Sequence, residues 1–316
     1  NRNGTNNRKD KMNVRLTQLD GKLPNLALMG LSTYHKKRGD RIWFSRSPMR
    51  DLFEPKFDLV FGSSIFTRSL NVRELFKREF PEALLGGTGT TNLNTIEQLT
   101  GESEQAPDYS IYPKYRHSLG FSQRGCRLKC GFCVVPKKEG RNRDNKRIGE
   151  IWRGGNHPKE ICLLDNDFFG QLKWRDKCNE IEAGDFKVSF NQGINIRLIN
   201  EESANRLAAL KYFDDQFKSK RIYTAWDNAK DEKIFFRGLG YLTTAGIRPA
   251  NIMVYMLVGY WPGETMEDVF LRFHKLCDAG VMPFPMVYDE KNRELKRFQR
   301  WVIRRYYQFI EWKDYK

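Results

Sequence analysis

Three cysteines fall within eight positions of one another, as Cys126-Arg-Leu-Lys-Cys130-Gly-Phe-Cys133. Three thiolates on one short loop can hold three irons of a 4Fe–4S cluster, because sulfur ligands suit iron–sulfur chemistry. The fourth iron is then open to a ligand the protein does not supply. Zinc is the alternative, since three cysteines and a histidine such as His117 make a tetrahedral site. Zinc loops usually come as paired Cys-x-x-Cys halves, and no second half follows here. Cys162, Cys178 and Cys277 have no ligand spacing and read as ordinary structural positions. Six cysteines in 316 residues are too few for a disulfide framework.

The elements that must carry this loop follow from the pattern of apolar runs. Strands are expected at His117–Ser122, Ile161–Asp165, Lys187–Asn191, Arg221–Trp226, Asn251–Val258 and Met282–Tyr288. Helices fit between them at Ile148–Trp152, Gly170–Ala183, Asn200–Lys211, Ala229–Ala245 and Met266–Ala279, with a last one over Asn292–Ile310. Six strands each followed by a helix predict a partial (βα)6 barrel, whose chemistry sits at the strand C-termini. The cysteine loop follows the first strand. Earlier in the chain, strands at Asn13–Leu19, Arg41–Phe44, Asp58–Gly62 and Glu82–Leu85 alternate with helices at Leu23–Lys37 and Val72–Phe80. That alternation predicts a small Rossmann-like parallel sheet.

The expected organisation is therefore α/β throughout. Residues 1–11 read as a disordered extension before a natural start at Met12, and residues 12–89 as the Rossmann-like domain. Residues 90–114 read as a linker, residues 115–290 as the barrel and residues 291–316 as a basic helix. A hydrophobic content of 40% excludes wholesale disorder. No apolar run approaches the ~20 residues of a membrane span, and no apolar leader opens the chain, so a cytoplasmic protein without membrane contact is expected. The net charge of +16 is concentrated, with nine Lys/Arg against three Asp/Glu over residues 291–316. Such blocks suit a polyanion, RNA above all, with Phe298, Trp301, Tyr306 and Tyr307 available to stack on bases. Solvated surface is the plainer reading.

A Cys-x-x-x-Cys-x-x-Cys loop with an aromatic before the third cysteine, after strand one of such a barrel, resembles the radical S-adenosylmethionine (SAM) superfamily. The resemblance covers about Tyr115 to Tyr288. It implies a 4Fe–4S cluster on Cys126, Cys130 and Cys133, SAM on the open iron, and one-electron cleavage to methionine and a 5′-deoxyadenosyl radical. It places Phe132 near the adenine and implies an electron donor such as flavodoxin or ferredoxin. The second strand ends in Asp165-Asn166-Asp167 where the family often has a Gly-Gly-Glu-like segment for the SAM amino group. Only the polar end matches, and Asp165, Asn166 and Asp167 become candidates for that contact. Gln192 and Arg197 after strand three become candidates for the ribose or the methionine carboxylate, and Asp227 after strand four for the ribose. Gly259-Tyr-Trp-Pro-Gly263-Glu264-Thr265 resembles the adenine-side segment.

The N-terminal unit resembles the cobalamin-binding domain that precedes many radical SAM cores, in degenerate form. Its carriers are Leu23–Met29 and the glycines of Leu84-Leu85-Gly86-Gly87-Thr88-Gly89, which can admit a flat cofactor. The Asp-x-His-x-x-Gly motif is missing, and His35 is the one histidine before the core. The loop around Cys133-Val134-Val135-Pro136 is similar to that of tRNA methylthiotransferases, yet no cysteine precedes Cys126 to hold their second cluster. The leading expectation is a radical SAM enzyme on an unidentified substrate, with RNA a candidate. The alternatives are a cobalamin-dependent radical SAM methyltransferase, or a nucleic-acid-binding protein with a structural iron–sulfur or zinc site.

Overall fold

A computed structural model describes residues 11–92, 95–102, 105–144 and 146–316. The extension expected over residues 1–11 lies outside the described residues except for Lys11. The chain forms two compact units, Asn1–Arg116 and His117–Lys316. No helix among the described residues is long and apolar enough to cross a membrane.

The first unit runs β1 (Asn13–Gln18), α1 (Leu26–Lys37), β2 (Arg41–Ser45), β3 (Leu59–Ser63), α2 (Leu70–Glu79), β4 (Leu84–Gly86) and α3 (Ile96–Thr100). Its four strands are parallel in the order β2-β1-β3-β4. Val14 and Leu16 alternate onto the α1 face and are fully buried with Leu28 and Met29. The first helix begins later than expected because Asn25 caps it, its side chain accepting from the Leu28 N–H at 3.1 Å.

Residues 90–114 are not a linker. Ile111 and Tyr112 sit in the core beside Val14 and Leu16, and the Ser32 hydroxyl donates to Asp108 at 2.6 Å. The polar composition that suggested a linker is capping chemistry. Thr95 and Gln98 form a capping box on α3, and Asp108 caps a 3-10 turn over Tyr109–Ile111.

The second unit begins with β5 (Ser118–Gly120), β6 (Gln123–Arg124), α4 (Val135–Lys138), β7 (Arg143–Asp144), α5 (Ile148–Ile151) and β8 (Glu160–Leu163). It continues with α6 (Trp174–Ala183), β9 (Lys187–Phe190), α7 (Glu201–Ala209), β10 (Lys211–Tyr212), β11 (Ile222–Ala225) and α8 (Glu232–Thr244). It ends with β12 (Ile252–Val258), α9 (Met266–Asp278), β13 (Met282–Val287) and α10 (Arg293–Ile303). The six expected strands are β5, β8, β9, β11, β12 and β13, all in parallel pairs. They are hydrogen-bonded as two sheets, β10-β9-β8-β5 and β11-β12-β13, rather than one. The short β10 takes the free edge of β9, so β11 cannot continue that ladder. Instead the Ile194 N–H donates to Tyr223 O at 2.8 Å and the Thr224 hydroxyl to Ile194 O at 2.9 Å.

The last helix is shorter than expected. It stops at Ile303, and Arg305 turns the chain at a φ of 58°. Phe298 and Trp301 are buried against Phe270 and Phe273 of α9, so neither can stack on a base. Arg297 lies 4.0 Å above the Trp312 ring and Arg300 donates to the Tyr315 hydroxyl at 2.6 Å. Packing has consumed two of the four aromatics that suggested an RNA contact, while Tyr306 and Arg304 stay exposed.

Candidate active site

The cysteine loop is pinched at its neck. The ladder of β6 and β7 pairs Gln123 with Asp144 and Arg124 with Arg143, and the Cys126 N–H donates to Gly140 O at 3.1 Å. Gly125 has a φ of 83°, and a Cβ there would lie 2.3 Å from Arg141 O, so only glycine fits the neck. Within the loop the Cys133 N–H donates to Cys130 O at 3.0 Å and the Leu128 N–H to Cys126 Sγ at 3.4 Å. All three thiols are half-buried and free of disulfides. Burial pushes the Cys126 and Cys130 thiols up, against the Leu128 N–H at the first and the Arg197 charge at the second.

The strand ends bring several of the expected residues to this loop. Arg197 and Asp227 act electrostatically on Cys130, and Asp167 acts on Cys126. Arg197 is half-buried, held by Asn195 and Asp231 at 3.3 Å each. Asp227 accepts the Leu257 N–H at 3.1 Å, and burial raises its carboxyl against the Arg272 and Arg197 charges. Behind it Arg272 is buried and donates to Trp226 O, Leu257 O and the Glu264 carboxylate. Phe132 meets Tyr260 edge-on at 5.3 Å, and Tyr260 meets Trp261 and Tyr288, giving the mouth an aromatic wall. Gly131 lets the Tyr260 hydroxyl approach closely, since a Cβ there would stand 2.5 Å from it.

Other expected residues sit differently. Gln192 is exposed on the turn after β9, and Asn166 is half-buried between its two acidic neighbours. Asp165 is buried and turned into the protein, where it accepts the Ser122 N–H at 2.7 Å and the Ser122 hydroxyl. It fastens β8 to the start of the cysteine loop and is not presented to a ligand. Burial lifts its carboxyl to about 7, against those Ser122 bonds. A raised carboxyl adds stability that is present below its unfolded pKa of about 4 and is lost as pH rises through 7. Asp165→Asn should flatten that part of the profile. Denaturant midpoints at pH 5 and 7 that shift equally in both proteins would refute this origin.

Asp167 is fully buried. Its Oδ2 is ion-paired with Arg127 Nε at 3.0 Å and accepts from Asn142 Nδ2 at 3.3 Å. His117 is not a fourth ligand: it pairs with Glu160 at 2.7 Å where β5 and β8 begin, at the opposite strand ends from the cysteines. Cys162 and Cys178 are buried on β8 and α6, and Cys277 is half-buried on α9. Asp231, Arg127 and Asn142 escaped the sequence reading because nothing in their local sequence signals partners 25 to 40 residues away.

At the strand ends of the first unit the chain's own groups meet. Gln18, Asn25 and Tyr112 are bound to one another there, the Tyr112 hydroxyl donating to Gln18 at 2.8 Å and accepting the Asn25 N–H at 3.1 Å. Cβ atoms on Gly87 and Gly89 would fall 2.2 Å from Ser64 O and 2.5 Å from Phe66 O, so these glycines admit the chain's own backbone. His35 is buried against Asp40 at 2.8 Å.

A parallel α/β core with three thiols over its strand ends defines the class, and the resemblance to radical SAM enzymes is borne out. The fold is similar to that of apo, SeMet-labelled OxsB, a cobalamin-dependent S-adenosylmethionine radical enzyme (TM-score 0.53, 13% identity, 93% of this chain and 55% of that one). No protein-family model matches the chain. In sequence it is 26% identical over 233 residues to the tRNA-2-methylthio-N(6)-dimethylallyladenosine synthase of Sulfurihydrogenibium sp. (strain YO3AOP1), covering 68% of this chain and 50% of that one. It is 28% identical over 278 residues to the ribosomal protein uS12 methylthiotransferase RimO of Aquifex aeolicus (strain VF5), covering 74% and 62%. The chain thus spans about half the length of the first of these relatives.

Proposed function

We propose that the chain is a radical SAM enzyme whose 4Fe–4S cluster is held by Cys126, Cys130 and Cys133. The observation that carries this is the gathering of three thiols of one loop with Arg197 and Asp227 at the strand ends. The donor set suits such a cluster. Thiolates are the ligands that iron–sulfur clusters take, and this loop supplies three. When bound, the cluster supplies the electron that cleaves SAM to methionine and a 5′-deoxyadenosyl radical.

The chain's own residues then bind and orient. Arg197 offers its guanidinium to the SAM carboxylate, a match of planar donors to planar acceptors. Asp227 accepts from the ribose hydroxyls, and Phe132 with Tyr260 packs on the adenine. Asp165 drops out of the binding set because its oxygens are already taken. For the substrate, the favoured feature is the loop itself. Residues 124–147 hold nine Lys/Arg against two Asp/Glu, a cationic collar suited to an RNA backbone.

Arg197→Ala tests the binding assignment. Losing a charge-assisted contact should weaken SAM affinity about 10- to 100-fold with little change in melting temperature. Titration of the reconstituted protein measures it. Undiminished affinity would remove Arg197 from the site.

A further inference from the structure

We propose that Asp167 is a clasp: its buried carboxylate holds the two ends of the cysteine loop together and so presents the three thiols as one set. That the set serves a cluster rests on the function proposed above, while the clasp itself is made by the chain alone. It is a positioning residue, acting through the loop.

The loop needs such a device. Residues 125–142 are closed by two residue pairs of β6 and β7 and by single bonds from the Cys126 N–H to Gly140 O and the Gly125 N–H to Glu139, and a ladder that short is marginal by itself. Inside the loop one turn of helix, Val135–Lys138, supplies the regular structure. Asp167 arrives from the connection after β8 and takes a bond from each end. Arg127 stands beside the first cysteine and pairs with Asp167 Oδ2 as an ion, while Asn142 at the far end donates to the same oxygen. The Gln123 side-chain amide, on β6, donates to the Asp167 backbone carbonyl. Three points of the loop and its neck thus converge on one residue.

Two details mark the carboxylate as more than filling. Gly170 makes room for it, since a Cβ at that position would lie 2.1 Å from Asp167 Oδ2. Its Oδ1 is buried with no hydrogen-bond partner. Arg127 is therefore the counter-charge of a group that has almost no other support, and loop closure and charge pairing are one event. Asp167 also lies close enough to act electrostatically on Cys126.

The test uses the metal-free full chain, where no cluster can hold the loop. Amide hydrogen exchange should rise about 10- to 100-fold across residues 125–142 in Asp167→Ala, on the scale of one charge-assisted bond. Amides of β8, β9 and α6 should stay unchanged. A purely structural role would instead loosen that core. Gly170→Ala, which displaces the carboxylate without removing it, should open the same segment. The double variant Asp167→Ala with Arg127→Gln should do no more than Asp167→Ala alone, because the contact Arg127 makes is already gone. Should Asp167→Ala fail to fold, Asp167→Asn keeps the size and carries the same expectation at smaller amplitude. After reconstitution, Asp167→Asn should also shift the cluster's reduction potential upward, since a nearby negative charge opposes reduction. Unchanged exchange in the loop, additive effects in the double variant, or an unmoved potential would overturn the clasp. Failure of iron to bind the wild-type chain would sink the cluster reading and leave the exchange result to decide the clasp.

Discussion

Replacing Cys126, Cys130 and Cys133 together by alanine should abolish iron binding, where the wild-type chain takes up about four irons on anaerobic reconstitution. In the proposed cluster each thiolate would hold a separate iron, so even Cys130→Ala alone should lose most of the iron. The thiols are half-buried on a loop outside the cores of both units, which keeps the cost to folding small, on the order of 0.5 kcal/mol. Loss of iron with an intact melting transition is therefore expected. Cys277→Ala provides the control, because that half-buried thiol lies on α9 and should leave iron uptake untouched. Full iron content in the triple variant would end the assignment.

Arg272→Met should destabilise the second unit by about 3–5 kcal/mol, the usual cost of stranding one partner of a buried ion pair. Arg272 and Glu264 keep 2% and 8% of their side-chain surface. Burial pushes the guanidinium down and the Glu264 charge opposes that, so each needs the other. Arg272 also ties off Trp226 O at 3.1 Å and Leu257 O at 2.8 Å, at the ends of β11 and β12 where Asp227 sits. A melting point lower by roughly 6–20 °C is expected for a unit of this size. Arg272→Met with Glu264→Gln should recover part of the loss, because no buried carboxylate is then left without its cation. A single variant melting within about 1 °C of wild type would refute the role.

What could be read from the chain depended on how local the information was. The cysteine tripod is a spacing, and it was legible at once. The strands of the second unit are short apolar runs whose ends the structure moves by at most two residues, as with Ile161–Asp165 against Glu160–Leu163. The division into two sheets was not legible, because it turns on β10, two residues that carry no periodicity. Asp165 and Asp167 show a subtler limit. Acidic residues at a strand exit look like ligand contacts, but their partners Ser122, Arg127 and Asn142 lie 25 to 43 residues upstream. Composition misled over residues 90–114, where threonine and aspartate are caps rather than linker. Amphipathic patterning in the last helix identified Phe298 and Trp301 as aromatic without saying that α9 would cover them.

Formation of 5′-deoxyadenosine tests the central claim most directly. The reconstituted chain, reduced with dithionite under anaerobic conditions and given SAM, should release 5′-deoxyadenosine and methionine in equal amounts, slowly and without added substrate. The alanine variant of the three cysteines should release none. A wild-type chain that carries its full iron, binds SAM and still yields no 5′-deoxyadenosine after reduction would contradict the radical SAM assignment.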